Sequence, residues 1–291
     1  MASQNLPELP EFNSLWNYGK PEETRLKFQD ILTQFENSAD ASYLAELLTQ
    51  IARTYSLQSH FDQCHEILDR VEKMLGPGLD RAGILYLLER GRAYNSAGMG
   101  EKAMPFFLEA FELGLQKHER KHAIDAVHMI AIAEKDPNTQ VWWNLKGIAM
   151  AEADEKSQGW LNALYNNIGE SYLSLKDYKN ARLYFQKLAD RQTAKNGEAD
   201  MYTLKDVARA IRLSGSPKEA LAITQRILGN LETNNLDNGW IREEIAEALQ
   251  SLEESAQAKP HFVKAYQLLS QDEYCIQFEK EKLKHLKEMS E

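Results

Sequence analysis

A small residue returns along this chain about every 39 positions. Ala52, Gly91, Ala131, Gly169, Ala208 and Ala246 are separated by 39, 40, 38, 39 and 38 residues. Around each lies a fixed set of neighbours. Three residues on come Tyr55, Tyr94, Glu134, Tyr172, Ile211 and Leu249. Twelve on come Cys64, Ala103, Trp143, Ala181, Ala220 and Ala258. Sixteen on, in the five regular units, come Leu68, Phe107, Phe185, Thr224 and Phe262. Steps of three and four return to one side of an α-helix. Each unit therefore reads as two amphipathic helices joined by a polar turn, with the small residue where the two approach. A fold of this kind stacks one unit on the next, so its length is not limited as a single compact core is.

Turn chemistry falls where this reading needs it. Gly76-Pro77-Gly78, Asn196-Gly197 and Asp237-Asn238-Gly239 lie between units. Ser96-Ala97-Gly98 and Ser214-Gly215-Ser216-Pro217 lie inside them. Such residues stop helices. The third unit departs from the pattern. Its turn, Asp136-Pro137-Asn138, comes early, and its second helix reads best with Trp143, Leu145, Ile148 and Met150 inward and the small position shifted to Gly147. Before the units, Phe12, Leu15, Trp16 and Tyr18 read as buried anchors, and Pro21 opens a helix with Leu26, Phe28, Ile31, Leu32 and Phe35 on one face. After them, Cys275, Phe278, Leu283, Leu286 and Met289 share one side of a stretch that reads as a cap on the last stacking face. The expected organisation is an N-terminal segment and half repeat over 1–44, six repeats over 45–270 and a capping helix over 271–291.

The formal charge of -10 opposes phosphate backbones and anionic membranes, so neither nucleic acid nor a membrane is the expected partner. No apolar run approaches the roughly 18 residues of a bilayer span. The start, MASQNLPELPEF, lacks the basic and apolar regions of a secretory signal. Two cysteines without framework spacing, Cys64 and Cys275, suit a reducing compartment, and the expected location is cytoplasmic.

The units resemble the tetratricopeptide-repeat family. Tyr165, Ile168-Gly169, Tyr172, Ala181 and Phe185 carry the resemblance best, followed by Gly91, Tyr94, Ala103, Phe107 and Ala110, then Ala246, Leu249, Ala258, Phe262 and Ala265. The period near 39 exceeds the family's usual 34, and the Pro that usually closes a unit is mostly missing. The chain as a whole resembles bacterial tetratricopeptide-repeat proteins of similar size without a firm activity. The resemblance implies an all-α, right-handed superhelical solenoid whose first helices line a concave face. It also implies non-catalytic binding of a protein or peptide, as a scaffold or adaptor without cofactor. The alternative is a peptide sensor whose superhelix changes on binding. A second copy of the chain is admitted as a partner.

On the face expected to be concave, the residues read as the binding site are Arg53, Arg92, Asn95, His128, Asn166, Glu170, Lys205, Arg209 and Arg212. We read them as a peptide-binding groove on a solvated helix face. Arginine forks would hold acidic groups of the partner, and the asparagines would bond its backbone. The lysine–asparagine carboxylate clamp of some family members is not reproduced, since Thr49 and Arg53 stand at those offsets. His118-Glu119-Arg120-Lys121-His122 matches the H-E-x-x-H zinc motif, and a third reading is a zinc-dependent hydrolase acting through it. Its cationic neighbours and its place near a junction between units favour an exposed turn, with no metal.

Overall fold

The structure is a computed structural model that describes residues 10–35 and 40–291, so the polar lead-in over 1–9 lies outside the described residues. The fold is an all-α solenoid, with no strand among the described residues. It divides into two compact units, Met1–Trp160 and Leu161–Glu291.

In the first unit, α1 (Phe12–Leu15) and α2 (Pro21–Phe35) precede three antiparallel pairs. These are α3 (Ala41–Leu57) with α4 (Phe61–Met74), α5 (Asp80–Ser96) with α6 (Gly100–Gln116), and α7 (Arg120–Ala133) with α8 (Pro137–Glu152). A 3-10 turn, Glu155–Trp160, follows. The first helices pack side by side, α3 on α5 and α5 on α7. In the second unit the pairs are α9 (Leu161–Ser174) with α10 (Tyr178–Asn196), α11 (Met201–Leu213) with α12 (Pro217–Thr233), and α13 (Gly239–Ser251) with α14 (Ser255–Leu269). Two short helices, α15 (Glu273–Phe278) and α16 (Lys280–Ser290), end the chain, and α16 packs on α14.

The small residues have a steric cause. A Cβ built on Gly91 would lie 2.4 Å from the Phe107 ring, and one on Gly169 would lie 2.5 Å from the Phe185 ring. Both rings are fully buried, as are Ala52, Ala208, Ala246, Leu68 and Phe262. The ring sixteen residues on thus fills the space that the missing side chain leaves, and the pair closes on it.

The turns repeat as closely as the cores. Seven residues after the small residue, the backbone turns left-handed at Ser59, Gly98, Lys176, Gly215 and Glu253, with φ from 58 to 91°. The next N–H then donates back to the carbonyl of Tyr55, Tyr94, Tyr172, Ile211 or Leu249, at 2.9–3.2 Å. This is the 6→1 bond of a Schellman helix end. The third pair lacks it. There α7 ends in extended backbone at Glu134, and the Asp136 carboxylate accepts from Thr139 N to start α8, with Pro137 in its first turn.

Four packing expectations change. Leu26 is 58% exposed on α2, whose buried side is carried by Thr24, Phe28 and Phe35. Leu145 is 40% exposed, and Asn144 is buried in its place beside Gly147, Ile148 and Ala151. The early turn shifts α8 by one position, because its first turn is set by the Asp136 cap rather than by the usual hairpin. Tyr18 stacks on Trp16 with centroids 4.7 Å apart, yet it stays exposed, while Phe12 and Trp16 pack against Phe28. The C-terminal stretch breaks at Phe278 and Glu279, which leaves Phe278 exposed beside Tyr274.

Candidate binding cavity

In the first unit, α3, α5 and α7 present one face, and the segment carrying α1 lies against it. Trp16 Nε1 donates to Gln50 Oε1 at 2.8 Å, and Tyr43 Oη donates to the Pro10 carbonyl at 3.2 Å. Between segment and helices lies a cavity of about 520 Å³. Its walls include Phe12 and Tyr18 from the segment, Arg53 from α3, Leu85, Glu89 and Arg92 from α5, Asp125 and His128 from α7, and Trp160.

A charge cluster forms the floor. Arg92 donates to Glu89 at 2.5 Å and to Asp125. Glu89 also faces Arg53 at 3.6 Å. Arg92 is only 8% exposed, so the expectation of a solvated groove arginine is corrected. Its guanidinium is held above its usual range. Burial opposes this, and the Asp125 and Glu89 carboxylates together outweigh burial. Arg92 Nε is buried and has no hydrogen-bond partner among the described residues. Burial pulls the Arg53 guanidinium the other way, below its usual range, with the nearby Arg92 adding to the effect. His128 packs on the Trp160 ring at 5.5 Å, and burial pushes its imidazole down to about 4.

Of the nine groove residues read from the sequence, Arg53, Arg92 and His128 line this cavity. Asn95 stands at the α5–α6 turn, outside the lining residues. The other five lie in the second unit. There Arg209 faces Glu170 at 3.6 Å, Lys205 pairs with Asp206 at 2.7 Å, and Arg212 donates to both oxygens of Glu244 at 2.6 and 3.0 Å. Burial raises the Glu170 carboxyl, with the Arg209 charge opposing. Asn166 is half-buried on α9. The capping helix enters the same network, since Lys282 donates to Glu243 at 2.6 Å and His285 lies 2.7 Å from Glu247.

Groove cations therefore meet carboxylates of the chain itself. Glu89 was missed as a site residue, although its i,i+3 spacing to Arg92 on one helix marks it as a partner. Phe12, Tyr18 and Trp160 were missed as cavity walls, and nothing in their spacing places them there.

The segment resembling a zinc motif is not one helix. His118 sits in the turn with φ at 57°, and α7 begins only at Arg120. The two imidazoles therefore do not share a helical face. His122 Nδ1 instead lies 3.0 Å from Glu119.

The family model described as Tetratricopeptide repeat matches residues 163–194. The solved structures it resembles share the fold at low identity. One is a signal transduction ATPase with numerous domains, carrying a tetratricopeptide repeat sensor, from Pyrococcus horikoshii. It is 13% identical with a TM-score of 0.71, over 92% of this chain and 42% of that one. This chain thus spans less than half of that protein. Another is a tetratricopeptide repeat protein from Parabacteroides merdae, 14% identical with a TM-score of 0.57, over 96% of this chain and 95% of that one. A third is NprR in complex with its cognate peptide NprX, 16% identical with a TM-score of 0.58, over 94% of this chain and 80% of that one. No curated protein matches the sequence. The family's own model thus matches one repeat of this chain, and the solved structures share the fold that surrounds it. Among the described residues no helix is long and apolar enough to cross a membrane.

Proposed function

We propose that the chain is a non-catalytic binding protein that takes a peptide or a peptide segment of a protein on the face of its first helices. The observation that carries this reading is the cavity between α3, α5, α7 and the α1 segment, with Arg92, Glu89 and Asp125 buried at its floor. Burying charges costs several kcal/mol per ion unless they are well paired. A cluster kept at the base of an open cavity, with one guanidinium nitrogen unpartnered, suits recognition better than support. The peptide that NprR holds on a similar fold supports the same choice. In this reading Arg53, Arg92 and His128 contact the bound chain in the first unit. Asn95 belongs to the same unit, and Asn166, Glu170, Lys205, Arg209 and Arg212 form a separate polar face within the second unit.

The test places a photo-crosslinking residue at Tyr18 or Lys121, which line the cavity and are exposed, and at Leu108 or Glu109 on the outer side of α6. Each variant is irradiated in an extract of the native cell. The same captured species should appear from the first two positions and be absent from the second two. Capture from α6 alone removes the reading and leaves the fold untouched.

A further inference from the structure

The charged groups around the cavity that keep hydrogen-bonding capacity have a pattern. Arg53 makes no hydrogen bond among the described residues, and its nearest carboxylate, Glu89, already bonds Arg92. Lys121 lines the cavity without an ion-pair partner among the described residues. Two carboxylates complement them. Among the described residues, Glu11, from the α1 segment, has no ion-pair partner, and Glu119 has only His122, whose imidazole burial keeps below its usual range and so neutral near pH 7. Two cations and two anions thus look into one space with hydrogen-bonding capacity still unused, Arg53 because its ion-pair partner Glu89 stands 3.6 Å away.

A ligand of one sign meets as much repulsion as attraction there. A phosphate dianion would face Glu89, Asp125, Glu11 and Glu119 together. A ligand with one ammonium and one carboxylate satisfies both sets. The size is limited as well, since about 520 Å³ lies in the range of cavities that enclose a small-molecule ligand. Phe12 and Tyr18 wall the space on the segment side, and Trp160 adds an aromatic surface for an apolar side chain.

We propose that this cavity takes a short free peptide of a few residues, with its terminal carboxylate on Arg53 and its terminal ammonium on the Glu11 and Glu119 side. The inference rests on the peptide-binding reading above and narrows it from any peptide segment to one whose two ends are free.

The experiment uses the full chain and an equimolar pool of tetrapeptides with free ends. The same pool is prepared C-terminally amidated, N-terminally acetylated and blocked at both ends. Thermal shift and calorimetry report binding. The free pool should raise the melting temperature, and each single block should weaken binding by about tenfold or more, the loss for one charge-assisted hydrogen-bonded group. In Arg53→Gln the free and amidated pools should bind alike. The blocks act on the ligand, so the wild-type arms decide even if the variant folds poorly. Equal binding of the blocked and free pools overturns the inference, as does a preference for the free carboxylate that survives in Arg53→Gln. Absence of any shift with the pools also overturns it. If the Tyr18 and Lys121 crosslinks still capture a protein, the broader reading stands without it.

Discussion

Gly169→Ala sets two effects of known size against each other inside one unit. Alanine is favoured over glycine in a helix interior by about 0.8–1.0 kcal/mol. Here the added Cβ would lie 2.5, 2.7 and 2.8 Å from three atoms of the Phe185 ring. That ring is fully buried, so it cannot swing into solvent, and α10 must move instead. Overpacking of this kind costs about 1–3 kcal/mol. The net expectation is a loss of about 0.5–2 kcal/mol. Gly229→Ala on α12 is the control, since nothing lies within 4 Å of the added carbon. It should gain most of the propensity term. Both sites belong to the second unit, so one transition reports both. At roughly 2–4 °C per kcal/mol for a chain of this size, Gly169→Ala should melt lower by a few degrees and Gly229→Ala slightly higher. Trimming the ring should rescue the first, so the Gly169→Ala, Phe185→Leu pair should show coupling of at least about 0.5 kcal/mol. A Gly169→Ala variant as stable as Gly229→Ala, with no coupling to Phe185→Leu, would refute the argument that the ring sets the small position.

Lys176 is exposed and left-handed, which costs a non-glycine residue about 1–2 kcal/mol, whereas glycine forfeits about 0.5–1 kcal/mol of chain entropy. Lys176→Gly should therefore stabilise by about 0.5–1 kcal/mol in urea denaturation, and a loss would show that the turn is held by something other than backbone geometry. Arg92→Ala strands Glu89 and Asp125 in a buried site and should cost about 3–5 kcal/mol. Arg209→Ala removes a half-exposed pair at 3.6 Å and should cost less than about 1 kcal/mol, so equal melting points would contradict the assignment of the buried cluster. His128 has its folded value lowered to about 4 from an unfolded value near 6.5, so the unfolded chain binds more protons between these limits. Stability from this group is therefore complete above about pH 6.5 and is lost as pH falls toward 4, by about 3 kcal/mol. His128→Gln should flatten that part of a denaturation series against pH, and an unchanged slope would remove His128 as its source.

Much of the fold was legible because its determinants are local. The small residue, the ring sixteen positions on and the turn between them fall within one helical hairpin, so periodicity alone carries them. The charged face was legible as a face but not as a site. Arg92 finds Asp125 on the next first helix, 33 residues on, and Arg212 finds Glu244 32 residues on. A helical wheel drawn for one unit shows such an arginine facing outward, while the neighbouring helix has already covered it. The walls contributed by Phe12 and Tyr18 depend on where a segment of irregular sequence lies down, and no repeat register specifies that. Leu145 was misread because the third unit replaces the shared hairpin with an aspartate cap, and one residue of shift turns a helix by about 100°.

The pairing of groove charges within the chain has a kinetic consequence. Arg53 and Arg92 against Glu89 and Asp125 form a group with no net charge, so at a distance its field falls off as a multipole rather than as a single charge. An approaching partner would gain little guidance from it beyond a Debye length of about 8 Å. Encounter should then proceed near the unsteered rate of about 10⁵–10⁶ M⁻¹s⁻¹, with little change as salt is added. Selectivity among partners would accordingly reside in how long each one stays rather than in how fast it arrives.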